Sequence, residues 1–236
     1  MAKKLKSLNL FEYFDAESPY ATEFRRLLYN LNGVLSGDKT KIILITSSML
    51  AEGKSIIVAY LAMTAAGRKK RKTLLIDCDL RRPTLHRLFD LPREAGLVEA
   101  LSEKKSLKDV IKKTANDYLD IITAGKTVAN PTDVFDSEAI HNFLNEGRFY
   151  YDLILLDCAP VLPVSDPMLL APLMDGVIMV VKAGSTPREV AQRAARLLQN
   201  NKSNFVGIVL NNLENALPYY YNESYYGYEY KQSPND

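Results

Sequence analysis

Three segments of this chain carry residue types at spacings that suit phosphoryl chemistry. The first is Ile45-Thr-Ser-Ser-Met-Leu-Ala-Glu-Gly-Lys-Ser-Ile56, lying between an apolar strand pattern and a helical one. It reads as a phosphate loop. The backbone N–H groups of Ala51, Glu52, Gly53, Lys54, Ser55 and Ile56 are expected to face phosphate oxygens, aided by the positive end of the following helix. Lys54 is placed to reach the β- and γ-phosphates, and the Ser55 hydroxyl to bind Mg²⁺. The loop departs from G-x-x-x-x-G-K, because Ser48 stands where the first Gly belongs. Gly-Lys-Ser by itself occurs by chance in ordinary turns; the strand before it and the helix after it make the difference.

The other two segments are acidic strand ends. Leu74-Leu-Ile-Asp77-Cys-Asp79-Leu-Arg81 closes one apolar run, and Leu153-Ile-Leu-Leu-Asp157-Cys-Ala-Pro160 closes another in the manner of a Walker B segment. Magnesium phosphoryl chemistry needs carboxylates at neighbouring strand ends. One such Asp can simply cap a helix or be solvated. Two of them downstream of a phosphate loop point to chemistry. Asp77 and Asp79 are two apart and share a face of an ideal strand. One could hold the Mg²⁺ shell while the other takes a proton from an attacking hydroxyl.

These segments must be positioned by regular elements, and the chain alternates them. Strands are predicted at Lys41–Thr46, Thr73–Asp77, Leu119–Ala124, Tyr151–Asp157, Gly176–Val181 and Asn204–Leu210. Helical patterns are predicted at Lys54–Arg68, Leu97–Lys112, Ser137–Gly147, Pro167–Leu173 and Pro187–Asn200, after an opening helix that Ser18-Pro19 starts. The strands are continuously apolar, which indicates burial on both faces. Alternation with helices indicates βαβ units. The expected fold is α/β, a single doubly wound, mostly parallel sheet, with ligands at the carboxyl ends of the strands. An N-terminal extension (1–17) precedes the domain (18–216), and a tail (217–236) follows it.

Composition narrows the function further. Of 236 residues, 47% are hydrophobic and 25% charged, and the net charge is +2. That balance excludes a disordered chain and offers no whole-chain case for nucleic-acid binding. No run reaches the roughly 20 apolar residues of a membrane span, and the basic start, with Lys3, Lys4 and Lys6, lacks the apolar region of a signal peptide. A cytoplasmic location is expected. Cys78 and Cys158 read as small buried residues, His86 and His141 as isolated, and the basic run 68–72 as a solvated loop. The aromatic content is uneven: 14 Tyr, 8 Phe, no Trp. Tyr219, Tyr220, Tyr221, Tyr225, Tyr226, Tyr228 and Tyr230 crowd one segment, separated by polar residues and flanked by Pro218 and Pro234. Such a segment cannot bury a core and is expected to be mobile and reachable.

Taken together, these motifs resemble the bacterial tyrosine kinases of capsule and exopolysaccharide export, P-loop proteins akin to the partition ATPases. Glu52-Gly-Lys-Ser55, Leu75-Ile-Asp-Cys-Asp-Leu-Arg-Arg-Pro83 and Leu155-Leu-Asp-Cys-Ala-Pro160 carry the resemblance. Gly96-Leu97, Asn130-Pro131, Asp166 and Val180-Val-Lys-Ala-Gly184 add to it, and so does the tyrosine tail. The resemblance implies ATP and Mg²⁺ as cofactors. Lys54 would contact phosphates, and Ser55, Asp77 and Asp157 would organise the metal. Asp79 would be the base that activates a tyrosine hydroxyl, whose ordinary pKa is near 10. Asn211 would sit where these folds contact adenine, and the tail tyrosines would be autophosphorylation sites. It further implies a membrane activator (a chain-length-determinant protein) whose cytoplasmic segment recruits the kinase to the inner face of the membrane, and a cognate tyrosine phosphatase.

The chain departs from the family in its loop, where Leu50 and Ala51 replace Pro and Gly and Ile56 replaces Thr. Ala51 would place a Cβ where φ is positive. The family's ring-assembly helix carries Glu-x-x-Arg-x-x-Arg; the same places here are Thr22, Arg25 and Leu28. The ring motif is therefore incomplete. Two other readings stay open: a partition-type ATPase switch, and a nucleotide-binding scaffold without transfer activity.

Overall fold

Alternate residues of each core strand belong to two separate apolar clusters, one on each face. Ile42, Leu44, Leu74, Ile76, Ile154 and Leu156 point to one side, and Ile43, Ile45, Leu75, Leu153 and Leu155 to the other. Double-sided burial is why these runs are apolar without alternation. The computed structural model describes residues 9–35, 40–69, 71–103, 105–135 and 137–213.

Seven strands form one sheet. They are β1 (Lys41–Ser47), β2 (Thr73–Asp77), β3 (Lys112–Lys113), β4 (Leu119–Ile122), β5 (Leu153–Asp157), β6 (Gly176–Lys182) and β7 (Phe205–Asn211). The order is β3-β4-β2-β5-β1-β6-β7, with β3 antiparallel to β4 and every other pair parallel. Helices α1 (Pro19–Val34), α2 (Lys54–Lys69) and α3 (Leu85–Leu88) cover the Ile43–Ile45 face, contributing Leu28, Leu31, Val58, Leu61 and Leu85. Helices α4 (Leu97–Ser102), α5 (Leu107–Val110), α6 (Ser137–Gly147), α7 (Asp166–Leu170) and α8 (Arg188–Asn200) cover the other, through residues such as Leu97, Leu107, Phe143, Leu170 and Leu198. From β1 the chain crosses one face to β2, and from β5 it crosses the other face to β6. The crevice between those diverging connections lies at the carboxyl ends of β1 and β5, where such folds bind ligands.

The chain differs from the sequence-based expectation in three places. Leu97–Lys112 is not one helix but α4, α5 and then β3. The Ser106 N–H and hydroxyl donate to Asp109 at 3.0 and 2.7 Å. That capping box restarts the helix and breaks the helical run. Strand β2 ends at Asp77, so Asp79 lies in the loop beyond and the two do not share a strand face. The packed body also begins upstream of Ser18. Leu10 is buried, and Phe11 stands edge-on to Phe89 at 5.4 Å. In α1, Ser18 accepts from the Ala21 N–H at 3.2 Å, as its helix-starting role predicts. Of the ring-motif places, Leu28 is buried and Arg25 donates to the Ala16 carbonyl at 2.6 Å.

Candidate active site

The phosphate loop joins β1 to α2, and Lys54 is the first residue of that helix. Ala51 has φ +61° and Gly53 has φ +89°. The left-handed conformation foreseen for Ala51 is thus present. A Cβ added at Gly53 would lie 2.2 Å from the Asn211 amide nitrogen, so both φ and space demand glycine there. Asn211 ends β7 and donates its amide to the Glu52 carbonyl at 2.9 Å, binding the loop itself. Glu52 turns inward, where Ser48 Oγ donates to it at 2.8 Å. Ser48 therefore does with a side chain what a first glycine does by conformation. The Ile56 side chain is partly exposed, as are Met49 and Leu50, giving the loop an apolar rim.

The acidic groups come together through strand register. Asp77 on β2 pairs with Asp157 on β5, which in turn pairs with Ile45 on β1. Adjacent strands are about 4.8 Å apart, so the carboxylates are neighbours. They differ in their partners. Asp77 accepts the N–H groups of Asp79 (3.2 Å), Thr84 (2.9 Å) and Leu85 (3.0 Å), and so holds the loop leading into α3. Asp79 accepts the Arg82 N–H at 3.0 Å with one oxygen and meets Lys54 Nζ at 2.8 Å with the other. Asp157 is wholly buried, and its contacts are loose: Lys54 Nζ forms an ion pair with Oδ1 at 3.4 Å, and neither oxygen receives a well-directed hydrogen bond. Burial raises the Asp157 pKa, while Lys54 and the Ser55 hydroxyl oppose the rise. Burial also raises Asp77, and Asp157 adds to it. Burial alone would lower Lys54, but Asp157 and Asp79 outweigh it and hold the ammonium above its ordinary range. Lys54 therefore stays charged across all physiological pH.

A buried carboxylate held only by loose contacts keeps the oxygen acceptors a hard oxygen-seeking cation needs. Asp157 beside Ser55 fits Mg²⁺ on that ground. Asp77, with three amide donors, has less free acceptor capacity. No group of three or more His, Cys, Asp or Glu forms a metal cage among the described residues. Mg²⁺ sites of phosphoryl-transfer enzymes ordinarily use one or two carboxylates completed by substrate oxygens and water.

A second network braces the rim. Arg81 donates to buried Asp166 at 2.9 Å and to Thr132 at 2.7 Å, and Thr132 donates to Asp166 at 2.7 Å. It ties the Asp77–Arg81 loop to the start of α7 and to the segment after Asn130. The bond to Asp166 is the main reason the Arg81 pKa is raised. Sequence reading singled out Arg81 and Asp166 but missed Thr132, and it missed Thr186, whose hydroxyl contacts Glu52. Lone threonines in loops give no local signal. Cys78 and Cys158 are buried and free. His86 has a pKa lowered by burial and by Arg87 and Arg93, and an unpartnered Nδ1. Of the basic run, Arg71 binds Asn32 and the Asp152 carbonyl. Tyr219, Tyr220, Tyr221, Tyr225, Tyr226, Tyr228 and Tyr230 lie outside the described residues, as do Lys3, Lys4 and Lys6. No described helix is long and apolar enough to cross a membrane.

A parallel sheet, a phosphate loop at its central strand and two acidic strand ends define a P-loop nucleotide-binding domain. The AAA domain family model matches residues 40–202. CapB of Staphylococcus aureus is 34% identical over 229 residues, covering 97% of this chain and 98% of the relative. The tyrosine-protein kinase YwqD of Bacillus subtilis is 32% identical over 203 residues, covering 86% of this chain and 85% of the relative. The kinase domain of the Escherichia coli tyrosine kinase ETK superposes with a TM-score of 0.81 at 25% identity, covering 93% of this chain and 88% of that one. The chain belongs to the bacterial tyrosine-protein kinase family.

Proposed function

We propose that this protein is an ATP- and Mg²⁺-dependent protein-tyrosine kinase that phosphorylates its own C-terminal tyrosines and thereby regulates capsule or exopolysaccharide synthesis and export. The observation that carries the reading is the convergence of Lys54, Asp79 and wholly buried Asp157 within 2.8–3.4 Å at the phosphate loop. Lys54, kept charged by both carboxylates, supplies fixed positive charge to the phosphates. Ser55 and Asp157 would hold Mg²⁺, with Asp77 behind them, and a bound ion would supply positive charge against the phosphates. Asp79 accepts the proton of the tyrosine hydroxyl as that oxygen bonds to the γ-phosphorus and the bond to the ADP oxygen breaks. The Ala51–Ile56 amides cradle the phosphates, and Asn211 borders that cradle.

The substrates proposed are Tyr219, Tyr220, Tyr221, Tyr225, Tyr226, Tyr228 and Tyr230, which follow β7 in the sequence; β7 itself ends at Asn211, beside the phosphate loop. Family membership supports two partners: a membrane activator that recruits the chain from the cytoplasm, and a tyrosine phosphatase that resets the tail. The test is incubation with ATP and Mg²⁺, with and without the activator's cytoplasmic segment, followed by mass mapping of phosphotyrosine. Tail phosphate that disappears in Lys54→Met and Asp79→Asn is the expected result. ATP hydrolysis with an unmodified tail in both conditions sinks the kinase reading and leaves the partition-type switch. Nucleotide binding with neither hydrolysis nor tail phosphate leaves a nucleotide-binding scaffold.

A further inference from the structure

The phosphate loop is clamped from outside by elements far along the chain. Glu52 is 3% exposed although it adjoins Gly53 and Lys54. Its carboxylate receives Ser48 Oγ on both oxygens at 2.8 Å, the Met49 N–H at 2.8 Å and the Thr186 hydroxyl. Its carbonyl receives the Asn211 amide at 2.9 Å. Thr186 lies in the turn between β6 and α8, closed by its own N–H on the Lys182 carbonyl at 3.0 Å. Ala183 N–H in that turn donates to the Asn211 carbonyl at 2.9 Å. Glu52, Thr186, Ala183 and Asn211 thus close a hydrogen-bonded ring through three separate segments.

We propose that Glu52 and Thr186 are positioning residues for the phosphate site, with Ser48 and Asn211 completing the clamp. This inference rests on the nucleotide reading above. A phosphate loop works only if its N–H groups hold one arrangement before the ligand arrives. Ala51 sits at φ +61° with a Cβ that opposes that conformation. The loop therefore needs an external restraint. A buried carboxylate collects it, because every acceptor site left empty away from water is costly. Thr186 makes the β6–α8 turn part of the phosphate site without touching phosphate. Each donor to the carboxylate is neutral, so the clamp fixes Glu52 in place and leaves Lys54 to its acidic partners.

The experiment compares wild type, Thr186→Val and Thr186→Ser in the full chain. Valine keeps the shape and removes the donor; serine restores it. Mg-ATP affinity, KM and kcat, melting temperature and amide hydrogen exchange over 48–54 are measured. Thr186→Val is expected to raise the ATP Kd and KM about tenfold, the loss of one hydrogen bond to a charged group. Loop exchange should quicken, kcat should change less than threefold, and Thr186→Ser should recover most of the affinity. Wild-type affinity and loop protection in Thr186→Val overturn the clamp. So does a fall in melting temperature without any shift in KM, which marks a merely structural role. If wild type binds no nucleotide, the phosphate-site reading fails. The clamp is then judged on hydrogen exchange alone: faster loop exchange in Thr186→Val supports it, and unchanged exchange overturns it.

Discussion

Asp157 shows how one residue can oppose the fold it sits in. Its carboxyl is wholly buried with only a loose ion pair to Lys54, and burial raises its pKa. The folded chain then holds this proton more tightly than the unfolded chain, whose Asp titrates near pH 4. The stability so contributed is complete below about pH 4 and is lost as pH rises through the folded pKa. Above that pKa the ionised group weakens the fold. Asp157→Asn is expected to raise the melting temperature by roughly 2–4 °C at neutral pH, with the gain fading toward about pH 4, because Lys54 keeps Asp79 as partner. Phosphotransfer should fall about 100-fold or more. Calorimetry across pH beside a kinase assay checks both. An active variant with no gain at any pH removes Asp157 from the site. Aspartates ending apolar strands were legible in the sequence. The division of labour among them was not, because Asp77 spends its acceptors on amides seven and eight residues ahead.

At the scale of elements, the core strands and α2, α6 and α8 were readable because burial leaves a periodic record. Helix α3, with four residues, is too short to leave one, and β3 is a two-residue edge. The α4–α5 break was masked by apolar residues whose helical spacing continues across it. The phosphate loop stands between these cases. Its strained residue follows from the resemblance, which places Ala51 where the family has Gly, and its φ is +61°. A left-handed Cβ-bearing residue costs about 1–2 kcal/mol, and glycine returns about 0.5–1 of that through the unfolded chain. Ala51→Gly should therefore stabilise the protein by up to about 1 kcal/mol and tighten Mg-ATP binding severalfold. Thermal melting and nucleotide titration decide it. A variant that melts lower shows that the loop is shaped by something other than this strain.

For the whole molecule, the question is what α1 contributes to assembly. Leu28, in the place of the second ring arginine, is buried against the sheet, and Arg25 is bound to the Ala16 carbonyl. Both are committed within the chain. Arg25→Ala should leave the sedimentation coefficient of the full chain unchanged at every concentration; a shift toward smaller species places α1 in an interface. Charge acts at the same scale. Each tyrosine phosphate adds about −1.5 to −2 charges, so two of them outweigh the net +2.

The sequence by itself determined the α/β alternation, the two-sided burial of the strands, the phosphate loop, the acidic strand ends and the tyrosine-rich segment. All of these are written locally, in periodicity, composition and spacing. Only the tertiary structure decided which carboxylate keeps acceptor capacity free, and that Lys54 bridges Asp79 and Asp157. It also decided that Glu52 is gripped by residues 134 and 159 positions away. The reason is physical. A residue's pattern encodes whether it is buried, but a hydrogen-bond partner is chosen by strand register and by which loops meet at the sheet's end.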